Sequence, residues 1–302
     1  MKNIHFAGQK VKSFKITYSD NFCKIFLTKI DWLVHDLHSN GKSSKELENI
    51  RIFGVSYQSF FSEWQEILVQ DKNPQSSIKK RAIDLIDQLE LANIGQRPTI
   101  WITHSMGGII VKQMLVYLKE LEMKNKNIGN RNNPNNLLEN TKGIIFLSSP
   151  HLGSHVAKNA LNFNFALYAS NEVGELASDS KYLLDLNKNF LNLIKNSKIE
   201  ILSICEKLAT YFGFNLYAIT VTEASANLGV GEFYVANNKD HLNVCKPDNK
   251  KCVVYNKEID FINKIIENEN KNCKICELKQ TVNGVFDLNE KSYLFFSNFS
   301  NF

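Results

Sequence analysis

The first stretch of this chain in which residue type and spacing could do chemistry is a serine between an apolar run and a pair of glycines. Residues 99–110 read Thr-Ile-Trp-Ile-Thr-His-Ser-Met-Gly-Gly-Ile-Ile. Thr99 to Ile102 is apolar and rich in β-formers, and Ile109, Ile110, Met114, Leu115 and Leu118 follow at helical spacing. A serine on a tight turn from strand to helix is a nucleophile elbow: its side chain stands clear of the backbone, and small flanking residues let the turn pack. The turn also sets the N–H of Met106 at a helix N-terminus, where it can meet a developing oxyanion. Thr103 takes the place of the first glycine in the usual pattern, so the turn must accept a β-branched but still compact residue. A plain Ser-Gly turn is the alternative, but strand, serine, double glycine and amphipathic helix agree on the elbow.

A serine nucleophile needs a base. Of seven histidines, His5, His35, His38 and His104 come no later than the elbow, and His151, His155 and His241 lie downstream of Ser105. The chain order Ser, then Asp or Glu, then His selects among the last three. His241, in Asn-Lys-Asp-His-Leu-Asn-Val just after the apolar Phe233 to Ala236, suits a loop leaving a late strand. His104 faces away from the serine and reads as packing, and His151 reads as a structural residue near a strand end. For the acid, Leu216 to Val221 has the branching of a short penultimate strand and runs directly into Thr222-Glu223. Glu223 is therefore the expected partner of His241. Asp179 and Asp185 are alternatives on an earlier loop, and an N-cap or solvated carboxylate is the plain reading of Glu223.

The elements that must position these groups alternate. Ile50 to Tyr57 reads as a buried strand, Ile78 to Leu91 as an amphipathic helix, and Arg97-Pro98 as punctuation before the elbow strand. Gly143 to Ser148 is a further apolar strand, Leu183 to Ile194 a helix, Ile199 to Cys205 a strand and Val253 to Ile266 a closing helix. Strands alternating with helices predict an α/β fold with a mostly parallel central sheet and helices on both faces.

Several stretches together resemble the serine active site-containing protein 1 family: Arg97 to Gly108, Asn140 to Phe146, Ser149-Pro-His-Leu-Gly-Ser, Glu172 to Leu176, Ser225 to Gly231 and Asp240-His-Leu-Asn-Val-Cys-Lys-Pro. The resemblance runs from about residue 30 to residue 266. It implies a lipase-like α/β-hydrolase in phosphatidylglycerol remodelling and intracellular cholesterol handling, at contacts between endoplasmic reticulum and mitochondria, with peripheral membrane contact. By motif, Ser105 carries over as nucleophile and His241 as base. The expected substrate is a lipid or other acyl ester, hydrolysed or transferred through an acyl-enzyme. Family members carry a long N-terminal region and a His-Gly loop that resembles the usual source of a second oxyanion N–H. Here Ile4-His5-Phe6-Ala7-Gly8 is the nearest equivalent, with Phe6 in the glycine position. An incomplete oxyanion hole makes a catalytically impaired, lipid- or partner-binding homologue the second reading.

Composition sets outer limits. The chain has 302 residues, 43% of them hydrophobic, enough for one α/β domain with a sizeable core. Its net charge of +5 is spread out rather than gathered beside aromatics, which argues against a nucleic-acid partner. No apolar run reaches membrane-spanning length, and no secretory or other targeting signal is visible at Met1 to Phe14. The six cysteines (Cys23, Cys205, Cys245, Cys252, Cys273, Cys276) form no disulfide framework, and a lone Cys273-Lys-Ile-Cys276 is short of the four ligands zinc wants. Neither a metal nor a cofactor is expected. Residues 1–29 read as a divergent or truncated N-terminal segment and 30–267 as the hydrolase domain. Within that domain 124–140 is an Asn-rich loop insert, and 268–302 reads as a flexible tail. The aromatics Phe163, Phe165 and Tyr168 read as a cap over the pocket or as helix packing.

Overall fold

The computed structural model describes residues 2–3, 14–18, 53–57, 77–127, 136–157, 174–212 and 216–280. Three short strands, β1 (Lys2–Asn3), β2 (Phe14–Tyr18) and β3 (Phe53–Tyr57), pair antiparallel in the order β1-β2-β3. Helix α1 (Ile78–Leu91) leads to β4 (Thr99–His104), which turns into α2 (Met106–Asn127). Then come α3 (Leu137–Asn140), β5 (Thr141–Leu147), α4 (Lys181–Lys195) and β6 (Glu200–Glu206). A small hairpin, β7 (Thr210–Tyr211) with β8 (Tyr217–Ala218), precedes α5 (Glu223–Ala226), β9 (Glu232–Ala236) and α6 (Val253–Gln280). The α/β-hydrolase architecture expected from the sequence is present, with a parallel sheet in the order β4-β5-β6-β9 and helices on both its faces.

Side chains alternate across a strand, and here both faces are buried, so the strands read as continuous apolar runs. Trp101, Ile144, Phe146 and Ile201 face α1, α2 and α4, packing with Leu85, Leu89, Ile109, Met114 and Phe190. Ile100, Ile102, Ile145, Leu147, Leu202 and Ile204 face α6 and meet Val254, Phe261, Ile262 and Ile265. Each such side chain contributes about 1.5–3 kcal/mol of burial, so the sheet is clamped from both sides. The buried Trp101 keeps its polar edge satisfied, its Nε1–H donating to Thr141 Oγ1 at 3.0 Å.

Strand and helix limits mostly follow the periodicity, with one consequential difference. Leu216 to Val221 is not a sheet strand. Only Tyr217–Ala218 is extended, and it pairs with Thr210–Tyr211 in the hairpin. The penultimate strand of the parallel sheet is therefore β6, which ends at Glu206. Lys124 to Asn127 belongs to α2 rather than to a loop, and α6 runs on to Gln280 into the stretch read as a tail. Phe163, Phe165 and Tyr168 lie outside the described residues, as do most of 1–29.

Candidate active site

The elbow forms as its sequence predicts. Ser105 sits between β4 and α2 with φ +54°, a left-handed conformation that costs a β-carbon-bearing residue steric energy and is typical of strained functional turns. Its N–H extends the parallel ladder to Leu147 O at 2.9 Å. Thr103 fills the glycine position because its buried hydroxyl donates to Ile145 O at 2.9 Å. Gly108 has no such freedom. A β-carbon there would run into the Ser149 hydroxyl and come within 2.8 Å of Phe146, so glycine lets α2 lie directly on the end of β5. Met106 opens α2, one of the first N–H groups that the helix itself leaves unpartnered.

The structure brings His241 to Ser105, with Nε2 2.9 Å from Oγ. The other ring nitrogen, Nδ1, lies 2.7 Å from Oε2 of Glu206. A carboxylate only accepts, so Nδ1 carries the proton and Nε2 is left as the acceptor facing the serine hydroxyl. Glu206 is itself held at several points. Oε1 accepts the N–H groups of Thr220 and Val221, each at 2.9 Å, and its own N–H donates to Ser148 Oγ at 3.0 Å. Burial works against this carboxylate, but His241, the Ser148 hydroxyl and the Val221 N–H outweigh it and hold its pKa below the ordinary carboxylate value. Its neighbour Cys205 is pushed up to about 12 by burial, with Glu206 and Glu223 adding to the rise, so it stays a thiol.

Glu223, the acid expected from the sequence, does not reach His241. It opens the short α5, is half-exposed and pairs with Lys207 across the surface. The reason is the fold difference above: Leu216 to Val221 leaves no sheet strand to deliver the residue after it. Asp179 and Asp185 are corrected too, because the imidazole nitrogen that either would have to meet is already taken. Both are exposed, Asp179 in the turn before α4 and Asp185 within α4, while Glu206 occupies Nδ1. Phe6, the expected second oxyanion donor, lies outside the described residues. His151 matches its structural reading. It is buried, donates its backbone N–H to Ser225 O at 2.9 Å and meets Phe146 edge-on. Its Nδ1 lies 3.3 Å from Nζ of Lys112, a lysine buried in α2 and brought by burial to a pKa of about 7.

Sequence reasoning missed Glu206, and a signal for it existed. It is the first charged residue after the apolar Ile-Leu-Ser-Ile-Cys run, at the carboxyl end of a parallel strand, where sites of open α/β sheets gather. Ser148 was missed as well. It takes φ +45° at the end of β5, and its N–H donates to Ile204 O at 2.7 Å.

Fold and site together define an α/β-hydrolase of the serine esterase type. The family model described as "Putative serine esterase (DUF676)" matches residues 84–205. Protein SERAC1 of Danio rerio is 38% identical over 215 residues, covering 71% of this chain and 31% of that protein. The Homo sapiens protein is 34% identical over 229 residues, 76% of this chain and 33% of that one. Over this domain the chain is similar to the serine active site-containing protein 1 family, and it spans about a third of the length of the curated relatives it matches. Among solved structures, the mature lipase BlEst2 of Bacillus licheniformis aligns with a TM-score of 0.43 at 17% identity, covering 65% of this chain and 77% of that one.

Proposed function

We propose that this domain cleaves acyl esters of lipids through a covalent acyl-enzyme, with Ser105 as nucleophile, His241 as base and Glu206 as the acid. The observation that carries the reading is the continuous contact from Ser105 Oγ to His241 Nε2 and from His241 Nδ1 to Glu206 Oε2. As Ser105 Oγ attacks the ester carbon, Nε2 takes its proton, and the new oxyanion lies beside the Met106 N–H. The imidazolium, stabilised by Glu206, then returns the proton to the departing alkoxide. Water, activated in the same way, adds to the acyl-enzyme and releases the fatty acid. An alcohol taking the place of that water would make the reaction a transfer.

A lipid substrate is supported by the hairpin that follows Glu206. From Leu208 to Ile219 the chain has no charged residue, and Leu208, Tyr211, Leu216, Tyr217 and Ile219 are exposed. Exposed apolar clusters of this kind fit a lipid surface, and tyrosine suits the boundary between hydrocarbon and water. Both ends of the hairpin also touch the site. Thr210 Oγ1 accepts the His241 N–H at 3.0 Å, and Thr220 and Val221 bind Glu206. Among the described residues no helix is long and apolar enough to cross a membrane, so contact through this hairpin would be peripheral. On family resemblance, the proposed setting is phosphatidylglycerol remodelling and cholesterol handling where endoplasmic reticulum meets mitochondria. The test compares a soluble short-chain ester with phosphatidylglycerol vesicles. Tyr211→Ser/Tyr217→Ser should lower vesicle turnover about tenfold or more and leave the soluble ester within about twofold. Equal losses on both substrates would contradict a lipid-surface role.

A further inference from the structure

Two of the stretches that carry the family resemblance, Ser149-Pro-His-Leu-Gly-Ser and Ser225 to Gly231, lie far apart in the chain and meet beside the segment that holds Glu206. The His151 N–H donates to Ser225 O at 2.9 Å. The Ser225 hydroxyl donates to Gly153 O at 2.6 Å and accepts the Leu152 N–H at 3.2 Å. Gly153 takes φ +89°, where a β-carbon would run into the Ala177 carbonyl. The Ser154 backbone is anchored in turn, its N–H donating to Leu176 O at 2.9 Å and its carbonyl accepting the Ser178 N–H at 3.1 Å. Ser154 and Ser225 are both buried. A buried hydroxyl is costly unless its hydrogen bonds are made, so these two loops dock in one register.

Ser154 reaches one step further. Its hydroxyl accepts the Val156 N–H at 3.2 Å and donates to Thr220 O at 2.5 Å. That carbonyl belongs to the same peptide group as the Val221 N–H, which donates to Glu206 Oε1 at 2.9 Å. The peptide is trans, so its C=O and N–H point in opposite directions. With Ser154 on one side and the carboxylate on the other, the peptide plane cannot turn without breaking both bonds. Each bond also polarises the next, since a donor on the carbonyl strengthens the N–H of the same peptide. Thr220 and Val221 lie outside any strand or helix, so these contacts, rather than a ladder, fix them.

We propose that Ser154 is a positioning residue for the acid: through the Thr220–Val221 peptide it holds the donor that keeps Glu206 aimed at His241. This inference rests on the hydrolase reading above, with Glu206 as the acid. The hydroxyl acts on the carboxylate through that peptide rather than by contact, so its removal leaves every reacting group present and loosens only the aim of one. A misplacement of about 1 Å in a reacting group costs on the order of 100-fold. The Thr220 N–H, a second donor to the same oxygen, keeps the loss below that.

The experiment measures steady-state hydrolysis of a soluble short-chain ester by the full chain, with melting curves alongside. Ser154→Ala should lower kcat about tenfold and leave KM within about twofold. Ser154→Thr, which keeps the hydroxyl, should recover most of the loss. Tyr182→Phe removes a hydroxyl that donates to Gln113 Oε1 at 2.7 Å between α4 and α2, and it should lower the melting temperature without changing kcat. Introduced into Glu206→Gln, Ser154→Ala should cost less than about twofold more, since the residue acts through the acid. Wild-type kcat in Ser154→Ala, or a further loss of about tenfold in the Glu206→Gln background, would overturn the inference. If Ser154→Ala does not fold, Ser154→Cys, similar in shape but a weak donor, takes its place with the same expectations. Wild-type kcat in Glu206→Gln would instead refute the acid, and fluorophosphonate labelling that persists in Ser105→Ala would refute the hydrolase reading itself, so the failures are distinct.

Discussion

Glu206 and His241 are joined by a 2.7 Å contact between Oε2 and Nδ1, made from the last residue of β6 to the loop after β9. That contact fixes which nitrogen of the imidazole faces Ser105. Glu206→Gln would present an amide that can donate to Nδ1 and stabilise the wrong tautomer. It should lower kcat by about 10³- to 10⁴-fold with little change in KM. Glu223→Gln, which removes only a surface pair with Lys207, should stay within about twofold. Steady-state ester hydrolysis on both variants, with melting curves to confirm folding, distinguishes them. A dead Glu223→Gln beside an active Glu206→Gln would reverse the assignment.

That reversal was the expectation from sequence, and the reason is instructive. The elbow was legible because its signals are local: β-formers, serine, paired glycines and helical spacing lie within a dozen residues. His241 was legible because chain order and a preceding apolar run agreed. The acid depended on which apolar run is a sheet strand. Leu216 to Val221 has strand-like residues but forms half of a two-stranded hairpin, because β9 takes the place beside β6. Residue pattern does not report which neighbour a strand finds. His104 read as packing for the same reason, since its partner is a backbone carbonyl far along the chain.

Lys112 gives stability a pH dependence of known sign. Burial lowers its pKa from the ordinary 10.5 to about 7. Between those values the unfolded chain holds a proton that the folded chain has released, so stability rises with pH across the window. A single group of this kind contributes at most about 1.4 kcal/mol per pH unit. Lys112→Met should flatten the rise, as read by urea unfolding at successive pH values from 7 to 10. An unchanged slope would show that Lys112 is not the group responsible.

Glu258 runs the other way. It is fully buried in α6, Oε2 has no hydrogen-bond partner, and burial, then Cys245 and Cys252, raise its pKa well above the ordinary 4.5. The folded chain keeps a proton there that the unfolded chain loses, so this contribution to stability falls as pH rises above about 4.5. Glu258→Gln removes the ionisable group at nearly constant shape and should stabilise the protein at pH 8 by about 1–3 kcal/mol, with little effect at pH 4. Calorimetric melting at the two pH values checks it, and destabilisation at pH 8 would contradict it.

Gly108→Ala should cost about 1–3 kcal/mol by overpacking, because its β-carbon meets Ser149 and Phe146. The same push moves the start of α2, so probe labelling at Ser105 should slow as well. Chemical unfolding and labelling rate measure the two effects. A variant as stable and as reactive as wild type would show that α2 can shift without disturbing the elbow.

The central claim is that Ser105, His241 and Glu206 act as one unit, and fluorophosphonate labelling tests it most directly. Mass spectrometry after labelling should find the adduct on Ser105 alone, none in Ser105→Ala, and rates reduced by about 10³-fold or more in both His241→Ala and Glu206→Gln. An adduct on another serine, or a wild-type labelling rate in Glu206→Gln, would contradict the account.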